Sequence, residues 1–278
     1  MNLLLSSILK ENGIEATVFP HKSHNNHFKG SIVGSGKIVF IKVFRDQSLF
    51  INEKKILTQY LAKELICHFN YQTFYFLITP FKNYFEIDFD QEGVIEEAGS
   101  LIANFHNKHS NFISRKDRIN LSPPSERIYK LLNNMKTHYK INQISSHFNV
   151  IKHKLSSLDK EFMNKESIKF IHGDFGSRNI KRHNNKFELI DFERSRLDNV
   201  WVEFIKLFEL DLCDKKKINI FKWSYERVSF LPIISKDLYY LLVFIEVISI
   251  YDYTSLNRDP KFEKKADMLL EKLKVIYN

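Results

Sequence analysis

Three polar side chains stand in an otherwise apolar stretch, where they could bind a metal ion or activate a hydroxyl group. Asp174 and Asn179 lie in "IHGDFGSRNI", and Asp191 ends the apolar run in "LIDFE". Charged groups in such surroundings need a partner, a metal ion or a substrate. Two carboxylates and an amide oxygen are hard donors that suit Mg²⁺ carrying phosphates, and a carboxylate without a metal can accept a proton from an attacking hydroxyl. The pattern therefore indicates phosphate chemistry.

Short strands are predicted around these residues, at 168–171, 179–182 and 187–190. Asp174 follows the first strand, and side-chain alternation places Asp191 at the end of the third. The short loop from Asp174 to Asn179 can bring all three side chains around one small volume. In the alternative, Asp174 and Asn179 only cap the loop through Asx-turns. We favour the functional site, because H-G-D-x-x-x-x-N followed by a strand and D-F-E is far more specific than either aspartate alone.

A second pair of charged residues interrupts the apolar pattern nearer the N-terminus. Lys42 lies within the predicted strand "IVFIKVF", and Glu53 lies on the apolar stripe of the following helix, between Leu49 and Ile56. A buried ammonium or carboxylate is costly without a counter-charge, so each group would neutralise the other. The alternative is that Lys42 extends out of an edge strand while Glu53 lies at the margin of the stripe. A lysine that is held by a glutamate and directed at the α- and β-phosphates is the kinase arrangement.

The rest of the chain divides into a strand-rich first part and a helical second part. The first part is predicted to contain strands at 15–21, 27–33, 38–44 and 73–81, a glycine turn at 34–37 and a helix at 48–66. The second part is predicted to contain helices at 92–108, 123–141, 147–163, 200–213, 214–228, 236–254 and 261–276. We therefore expect an α+β chain with two lobes, residues 1–80 and 81–278, whose boundary falls near Thr79 to Lys82.

The composition is typical of a soluble globular protein. The chain has 278 residues, 44% of them hydrophobic and 27% charged, with a formal net charge of +9. Cys67 and Cys213 lie in apolar segments that are predicted to be helical, and they indicate neither a disulfide framework nor a metal site. The start "MNLLLSSILKENG" is not typical of a signal peptide, and "LYYLLVFI" is too short to span a membrane. We expect a soluble protein of the reducing cytoplasm.

The motifs resemble those of the aminoglycoside phosphotransferase-like kinases, the small-molecule branch of the protein-kinase fold. "IHGDFGSRNI" and "LIDFE" are similar to the catalytic and metal-binding motifs of that family. Lys42 in "VFIKVF", Glu53 in "NEKKIL", the segment "FLITPF" and the helix "AGSLIANFHNK" follow in the family's order, so the resemblance covers most of the chain. It implies a bilobal fold with a small antiparallel sheet and one helix in the N-terminal lobe, and a larger, mainly helical C-terminal lobe.

The resemblance implies roles for the residues of the two motifs. Asp174 would be the catalytic base that orients the acceptor hydroxyl, and Asn179 and Asp191 would hold Mg²⁺. His172 could brace the loop, although we expect it to be an ordinary structural histidine.

The resemblance also implies a nucleotide site in the N-terminal lobe. Lys42 would contact the α- and β-phosphates of ATP, with GTP as a possible replacement, and Glu53 would hold Lys42 in place. The backbone of Thr79 to Phe81 would bind the adenine, with Ile78 and Phe81 near the base.

Several positions depart from the protein-kinase pattern. Gly176 stands where protein kinases usually carry a lysine, two residues after the catalytic aspartate, and Glu193 replaces the glycine of D-F-G. Both changes favour the small-molecule branch. No G-x-G-x-x-G precedes Lys42, so the loop 21–26 would have to cover the phosphates through its backbone N–H groups.

Two further assignments stay open on the sequence. Arg178 could contact a phosphate or an anionic acceptor, or it could form a salt bridge with Asp198. Members of the family often anchor the catalytic loop with an acidic residue at the start of the helix after D-F-E. Either Asp198 or Glu203 could supply that anchor here.

We expect an ATP- and Mg²⁺-dependent O-phosphotransferase that acts on a hydroxyl of a small molecule. The family's acceptors include aminoglycosides and other antibiotics, aminoalcohols such as choline, and sugars. Residues 83–107 and 198–214 are rich in acids, which would suit a cationic acceptor unless these acids are ordinary surface groups. If Arg178 and the many lysines dominate, an anionic sugar is the better acceptor.

Three other classes of function were weighed. The first is a catalytically silent pseudokinase or scaffold, against which the intact set of Lys42, Glu53, Asp174, Asn179 and Asp191 argues. The second is a nucleic-acid or membrane binder, which is disfavoured because the lysines are interleaved with acids; no nucleic-acid or membrane partner is expected. The third is a metallohydrolase built on residues 172, 174 and 191, which lacks a further metal-binding pair. The chain could be a monomer or a homodimer.

Overall fold

A computed structural model describes residues 2–20, 25–59, 61–109 and 121–277 of the chain. It divides into two compact units, each with its own set of elements. The first unit comprises Met1–Glu86 and Lys181–Ser195, and the second comprises Ile87–Ile180 and Arg196–Asn278.

An antiparallel sheet of five strands forms the first unit, in the order β1-β2-β3-β5-β4. The strands are β1 (Ile14–Val18), β2 (Asn26–Ile32), β3 (Ile38–Phe44), β4 (Cys67–Tyr71) and β5 (Phe74–Pro80). β3 lies at the centre and pairs with β2 on one side and β5 on the other. The glycine turn between β2 and β3 is confirmed, since Gly34 and Gly36 both have positive φ angles, which glycine adopts without strain.

Two helices supply the apolar cover of this sheet. Helix α1 (Asn2–Glu11) buries Leu5, Ile8 and Leu9, which are spaced to lie on one helical face, in a cluster with Val39, Ile41 and Val43 of β3. Helix α2 (Gln47–Gln59) contributes Phe50 and Leu57 to a second cluster with Phe44 and Leu77. Because side chains alternate along a strand, Lys42 shares the face of Phe44 and points towards the cluster formed with α2.

The first unit differs from the sequence prediction in three elements. Helix α1 and the edge strand β4 were not predicted, and α2 ends at Gln59 rather than near residue 66. The prediction that Cys67 lies in a helix is wrong, because this residue is exposed in β4. β4 forms because it pairs with β5, and Ile66, directly before β4, also donates from its backbone N to Ile78 O at 2.9 Å. A pairing between strands leaves no pattern in the local sequence.

The second unit is mainly helical. Its helices are α3 (Glu92–His109), α4 (Pro124–Asn134), α5 (Ile141–Ile151), α6 (Leu155–Phe162), α7 (Val200–Lys206), α8 (Lys215–Glu226), α9 (Lys236–Asn257) and α10 (Pro260–Tyr277). Strands β6 (Ile168–Ile171) and β9 (Arg196–Asn199) pair antiparallel in this unit. The hairpin of β7 (Ile180–His183) and β8 (Lys186–Leu189) belongs, from Lys181 onwards, to the first unit. The predicted α+β class, with an antiparallel sheet and a mainly helical part, is confirmed.

The helix predicted for 200–213 is not regular. α7 ends at Lys206 and continues as a π-helical turn over Leu207–Leu212, in which Cys213 N donates to Phe208 O at 3.0 Å. Cys213 then takes a left-handed backbone conformation with φ of 51° and ends the turn. A π-helical turn inserts an extra residue into a helix and is often found at functional sites.

Helix α9 carries much of the core of the second unit. In the described part of the chain it is the one helix that is long and apolar enough to span a membrane by length and composition. Of its most apolar window, 61% is buried inside the protein, as expected of a core helix in a globular protein.

Candidate active site

A buried ion pair joins the central strand of the first unit to helix α2. Lys42 Nζ on β3 lies 2.7 Å from Glu53 Oε2 on α2, and their side chains are 7% and 10% exposed. The contact follows from the sequence pattern, because Lys42 lies on the sheet face that α2 covers and Glu53 lies on the apolar face of α2. Because a buried charge needs a counter-charge, each of these two groups stabilises the other.

The D-F-E turn brings two more carboxylates to the same ammonium. Lys42 Nζ lies 2.5 Å from Asp191 Oδ1 and 2.9 Å from Glu193 Oε2. Asp191 has φ of 67°, a left-handed conformation that is unusual for a residue other than glycine and that often marks a functional site. Asn25 Nδ2 donates to Glu193 Oε2 at 2.6 Å, and Asn52 Nδ2 donates to the Glu193 carbonyl at 3.1 Å, so the turn is held from both sides.

The charges of this cluster do not balance. Burial alone would lower the pKa of Lys42, but three carboxylates around it, Glu53, Asp191 and Glu193, raise that pKa and keep the ammonium charged. Burial raises the pKa of Glu53, and the two other carboxylates add to the effect while Lys42 opposes it. Three carboxylates against one ammonium leave two formal negative charges. Oxygen atoms of the three lie within 4.8 Å of one another, so the donor set fits a divalent cation such as Mg²⁺.

The segment predicted to bind adenine forms the end of β5. Ile78 is fully buried, and its carbonyl accepts from Ile66 N. Phe81 N donates to Ile38 O at 3.1 Å, so this amide is engaged by the sheet rather than offered to a base. Thr79 lies opposite Phe40 in the β3–β5 pairing. The adenine contacts at Ile78, Thr79 and Phe81 remain a prediction.

An aromatic cluster that the sequence did not indicate lies beside this segment. Phe19 packs edge-to-face against Phe40 and Phe81, with ring centroids 5.9 and 6.1 Å apart. All three rings are half-buried, and Lys29 Nζ lies 4.0 Å from the centroid of Phe81. Phe40 and Lys42 lie on one face of β3, so an aromatic ring of this cluster and a buried ammonium follow each other along one strand.

In the second unit, Asp174 lies at the centre of a polar cluster in the loop 172–179. Its Oδ1 accepts from Lys206 Nζ at 2.5 Å, and its Oδ2 accepts from Arg178 and, at 3.1 Å, from Asn179 Nδ2. Gly173 has φ of 80°, which explains the glycine directly before Asp174. Burial opposes ionisation of Asp174, but the charges of Lys206 and Arg178 outweigh it and lower the pKa to about 2. The carboxylate is therefore ionised at neutral pH.

Glu203, rather than Asp198, anchors this loop. Glu203 Oε1 accepts from Gly173 N at 2.7 Å, and its Oε2 lies 3.4 Å from His172 N. Asp198 instead accepts from Arg127, at 2.6 Å from Nη2, and from Arg196. The open choice between the two acids is thus decided by the geometry, and the salt bridge of Arg178 in this loop is with Asp174.

Solved structures match nearly the whole chain, although no family model and no curated protein matches the sequence. A choline kinase from Cryptosporidium parvum Iowa II is 15% identical, with a TM-score of 0.64, and the match covers 100% of this chain and 95% of that one. Spectinomycin phosphotransferase in complex with ADP and spectinomycin is 11% identical, with a TM-score of 0.62 and coverage of 100% and 98%. Aminoglycoside phosphotransferase APH(4)-Ia is 9% identical, with a TM-score of 0.66 and coverage of 98% of each chain.

The chain has the fold of the small-molecule kinases. The fold implied by the sequence motifs is confirmed, and it extends over the two units. Within this kinase-like fold, the residues of the predicted site form two groups. Lys42, Glu53 and Asp191 lie together in the first unit, and Asp174 and Asn179 lie together in the second.

Three contributors to these groups were missed as site residues. Glu193 was noticed only as a departure from D-F-G, yet it binds Lys42 directly. Lys206 and Asp211 contact the loop 172–179 from a helix more than 25 residues further along the chain. For Lys206 one signal was available, since a lysine stands in the apolar run "VEFIKLFEL", the same kind of pattern that identified Lys42. Of the loop 21–26, predicted to cover the phosphates, residues 21–24 lie outside the described part of the chain.

The acidic segments of this kinase-like fold are partly neutralised. Six of their eleven carboxylates bind a lysine or an arginine, in the pairs Glu86–Lys181, Asp90–Lys217, Glu92–Lys216, Glu96–Arg227, Asp198–Arg127 and Glu209–Lys272. Asp214 caps helix α8, accepting from Lys217 N at 2.9 Å. These pairs reduce, but do not remove, the negative charge that a cationic acceptor would meet.

His106 makes the stability of the second unit depend on pH. Its buried ring lies 2.9 Å from Glu203 Oε2 through Nε2 and 2.9 Å from the Tyr225 hydroxyl through Nδ1, contacts that a neutral ring satisfies. Burial lowers the pKa of His106, and Glu203 offsets this only in part. The unfolded chain therefore binds a proton more readily, and the free energy of unfolding should fall as the pH drops below about 6.5.

Urea unfolding between pH 7.5 and 5.5 checks this expectation. The wild type should lose stability on acidification, and the variant His106→Gln, which has no titrating ring, should lose less. Equal losses in the two proteins would show that His106 is not the group responsible.

Proposed function

We propose that the protein is an ATP- and Mg²⁺-dependent O-phosphotransferase that acts on a hydroxyl of a small molecule. The observation that carries the proposal is the buried Lys42 ammonium, held by Glu53 and bound by Asp191 and Glu193. A structural ion pair needs one carboxylate. A lysine with three carboxylates, placed beside an aromatic surface on the same strand, instead suits a nucleotide whose phosphates bring their own charge and metal.

The proposed roles follow from the charges of the two groups. Lys42 would bind the α- and β-phosphates, Glu53 would hold Lys42, and Asp191 and Asn179 would hold Mg²⁺. The carboxylate of Glu193 is a further candidate ligand, since its oxygen belongs to the same donor set. Bound Mg²⁺ would neutralise charge on the transferring phosphoryl group.

Asp174 would act on the acceptor. The acceptor oxygen would form a bond to the γ-phosphorus, the bond from that phosphorus to the oxygen of ADP would break, and the hydroxyl proton would pass to Asp174. A carboxylate whose pKa is about 2 is a weak base. It therefore orients the hydroxyl and receives the proton late, which suits the loose transition state of phosphoryl transfer.

The local charge around Asp174 favours neutral or anionic acceptors. Two cations, Arg178 and Lys206, bind this one carboxylate. A sugar or a hydroxy acid therefore fits better than a polyamine, although aminoglycosides and aminoalcohols belong in any test because the kinases of similar fold act on such molecules by name. Two exposed free cysteines suit a reducing compartment, so we place the protein in the cytoplasm, as a monomer or homodimer.

A coupled assay of ADP release tests the proposal. The wild type would be screened with ATP or GTP, with and without Mg²⁺, against sugars, sugar acids, aminoalcohols, aminoglycosides and other hydroxylated antibiotics. We expect release that needs both an acceptor and Mg²⁺ and that disappears in Asp191→Ala. Nucleotide binding without acceptor-dependent release, in the wild type and the variant alike, would instead identify a silent nucleotide-binding scaffold.

A further inference from the structure

One stretch of helix binds the loop 172–179 at three successive points. The three contacts join Glu203 Oε1 to Gly173 N at 2.7 Å, Lys206 Nζ to Asp174 Oδ1 at 2.5 Å, and Asp211 Oδ2 to Ser177 N at 3.3 Å. Residues spaced by three and by eight positions lie on the same side of a helix. The run from α7 into the π-helical turn therefore supports the loop along its length, with the Lys206 contact in the middle.

A side chain at position 176 would require the side chain of Asp211 to move. A Cβ atom on Gly176 would lie 2.6 Å from Asp211 Oδ2, closer than such contacts occur in proteins. A lysine two residues after Asp174, the arrangement usual in protein kinases, cannot be accommodated here without moving Asp211. The ammonium that approaches Asp174 comes from Lys206 on α7 instead, across the same contact.

The donors around Asp174 indicate which of its oxygens receives the acceptor. Oδ2 already accepts from Arg178 and from Asn179. Oδ1 accepts only from Lys206 among the described residues. Since a carboxylate oxygen offers about two lone-pair sites, Oδ1 retains one site for a further donor. An acceptor hydroxyl would therefore bind Oδ1, next to the ammonium of Lys206.

We propose that Lys206 is a positioning residue for phosphoryl transfer, which holds Asp174 so that Oδ1 faces the acceptor hydroxyl. This inference rests on the proposed function. The side chain of Lys206 is 26% exposed, so it is accessible enough to be replaced without creating a cavity in the core. Arg178 binds the opposite oxygen and its side chain is 67% exposed, so it does not duplicate this contact. Lys206 keeps its own protons, and the hydroxyl proton goes to Oδ1.

Kinetics of Lys206→Met test the positioning role. We expect kcat to fall by about 10²-fold, the size of effect seen when one preorganised hydrogen-bond donor is removed from an active site. The KM for nucleotide should stay within about twofold, because the ion pair of Lys206 among the described residues is with Asp174 and not with a proposed nucleotide ligand. Lys206→Arg, which keeps the charge, should recover part of the loss. Lys274→Met removes a lysine from an exposed pair with Glu271 and should leave kcat unchanged.

Chemical rescue separates the ammonium from the rest of the side chain. In a Cys67→Ser/Cys213→Ser background, Lys206→Cys should be as slow as Lys206→Met. Treatment of the folded variant with 2-bromoethylamine converts the thiol to an aminoethyl thioether of lysine length. The kcat of the treated variant should be at least about tenfold higher than that of the untreated variant. Lys274→Cys treated in the same way should not change.

The outcomes distinguish this inference from the function on which it rests. If the wild type phosphorylates an acceptor while Lys206→Met keeps its full kcat, the positioning role is wrong and the function stands. A loss of kcat that aminoethylation does not restore, in a variant with an unchanged thermal midpoint, also overturns the role of the ammonium. If the wild type releases no ADP with any acceptor, the proposed function fails, and this inference fails with it.

Discussion

Replacing Asp174 by asparagine is expected to reduce kcat by roughly 10²- to 10⁴-fold, the range over which a positioned acid or base contributes to proton transfer. Asparagine has the same shape but cannot take the hydroxyl proton. It also removes the negative charge between Lys206 and Arg178, so both cations lose their shared partner. Asp174 binds Lys206, Arg178 and Asn179, whereas phosphate binding is proposed for Lys42, so the affinity for nucleotide should change little.

Steady-state ADP release together with equilibrium nucleotide binding measures the two quantities separately. Asp90→Asn is a matched control, since Asp90 also pairs with a lysine, Lys217, but its side chain is 85% exposed. This control should have wild-type kcat and a wild-type unfolding midpoint. If Asp174→Asn kept its kcat, the loop 172–179 would not contain the catalytic base, and the role proposed for Asp174 would be wrong.

The site residues that the sequence predicted best are charged or polar residues within a locally apolar pattern. Lys42 and Glu53 were identified because each interrupts a regular apolar pattern, and the structure brings them within 2.7 Å. Asp174 and Asn179 were found through their spacing, which one short loop maintains. Such residues leave a local signal, because the cost of burying a polar group has to be met by a neighbour in the chain or on the adjacent element.

The contacts that the sequence did not predict come from distant parts of the chain. Lys206 reaches Asp174 from 32 residues away, and Asn25 reaches Glu193 across 168 residues. Neither pairing leaves a periodic signal, because it depends on how helices and strands pack. The choice of Glu203 over Asp198 as loop anchor was open for the same reason. Both acids follow D-F-E, and only the pairing of β6 with β9 turns one of them towards Arg127.

The fold shows the same division between local and distant effects. β3 was predicted with its observed bounds, because this central strand is an apolar run that Lys42 alone interrupts. The edge strand β4 and the π-helical turn at Leu207–Leu212 were missed. In β4 the pairing with β5 overrides a weak local preference. In the turn, an extra residue is accommodated within a run whose apolar spacing resembles that of an ordinary helix.

The largest effect on stability is expected from Lys42→Met. Methionine fills the space of the lysine stem, but Glu53, Asp191 and Glu193 lose the one ammonium that they share. Removing one partner of a buried ion pair typically costs about 3–5 kcal/mol, because the other charge stays buried without compensation. Urea unfolding should show this loss in the free energy of unfolding, and nucleotide binding should weaken because the phosphates lose their cation.

The double variant Lys42→Met/Glu53→Gln tests whether the loss of stability comes from the unpaired carboxylate of Glu53. Glutamine keeps the shape of Glu53 and removes the most buried of the uncompensated charges, so the double variant should be at least about 1 kcal/mol more stable than Lys42→Met alone. Its nucleotide affinity should remain low, because stability is recovered by deleting a charge while phosphate binding needs the ammonium itself. The free energy of unfolding would then recover while the nucleotide affinity stays low, as expected if Lys42 both stabilises the fold and binds the nucleotide. A double variant no more stable than the single one would show that Glu53 is not the carboxylate left uncompensated.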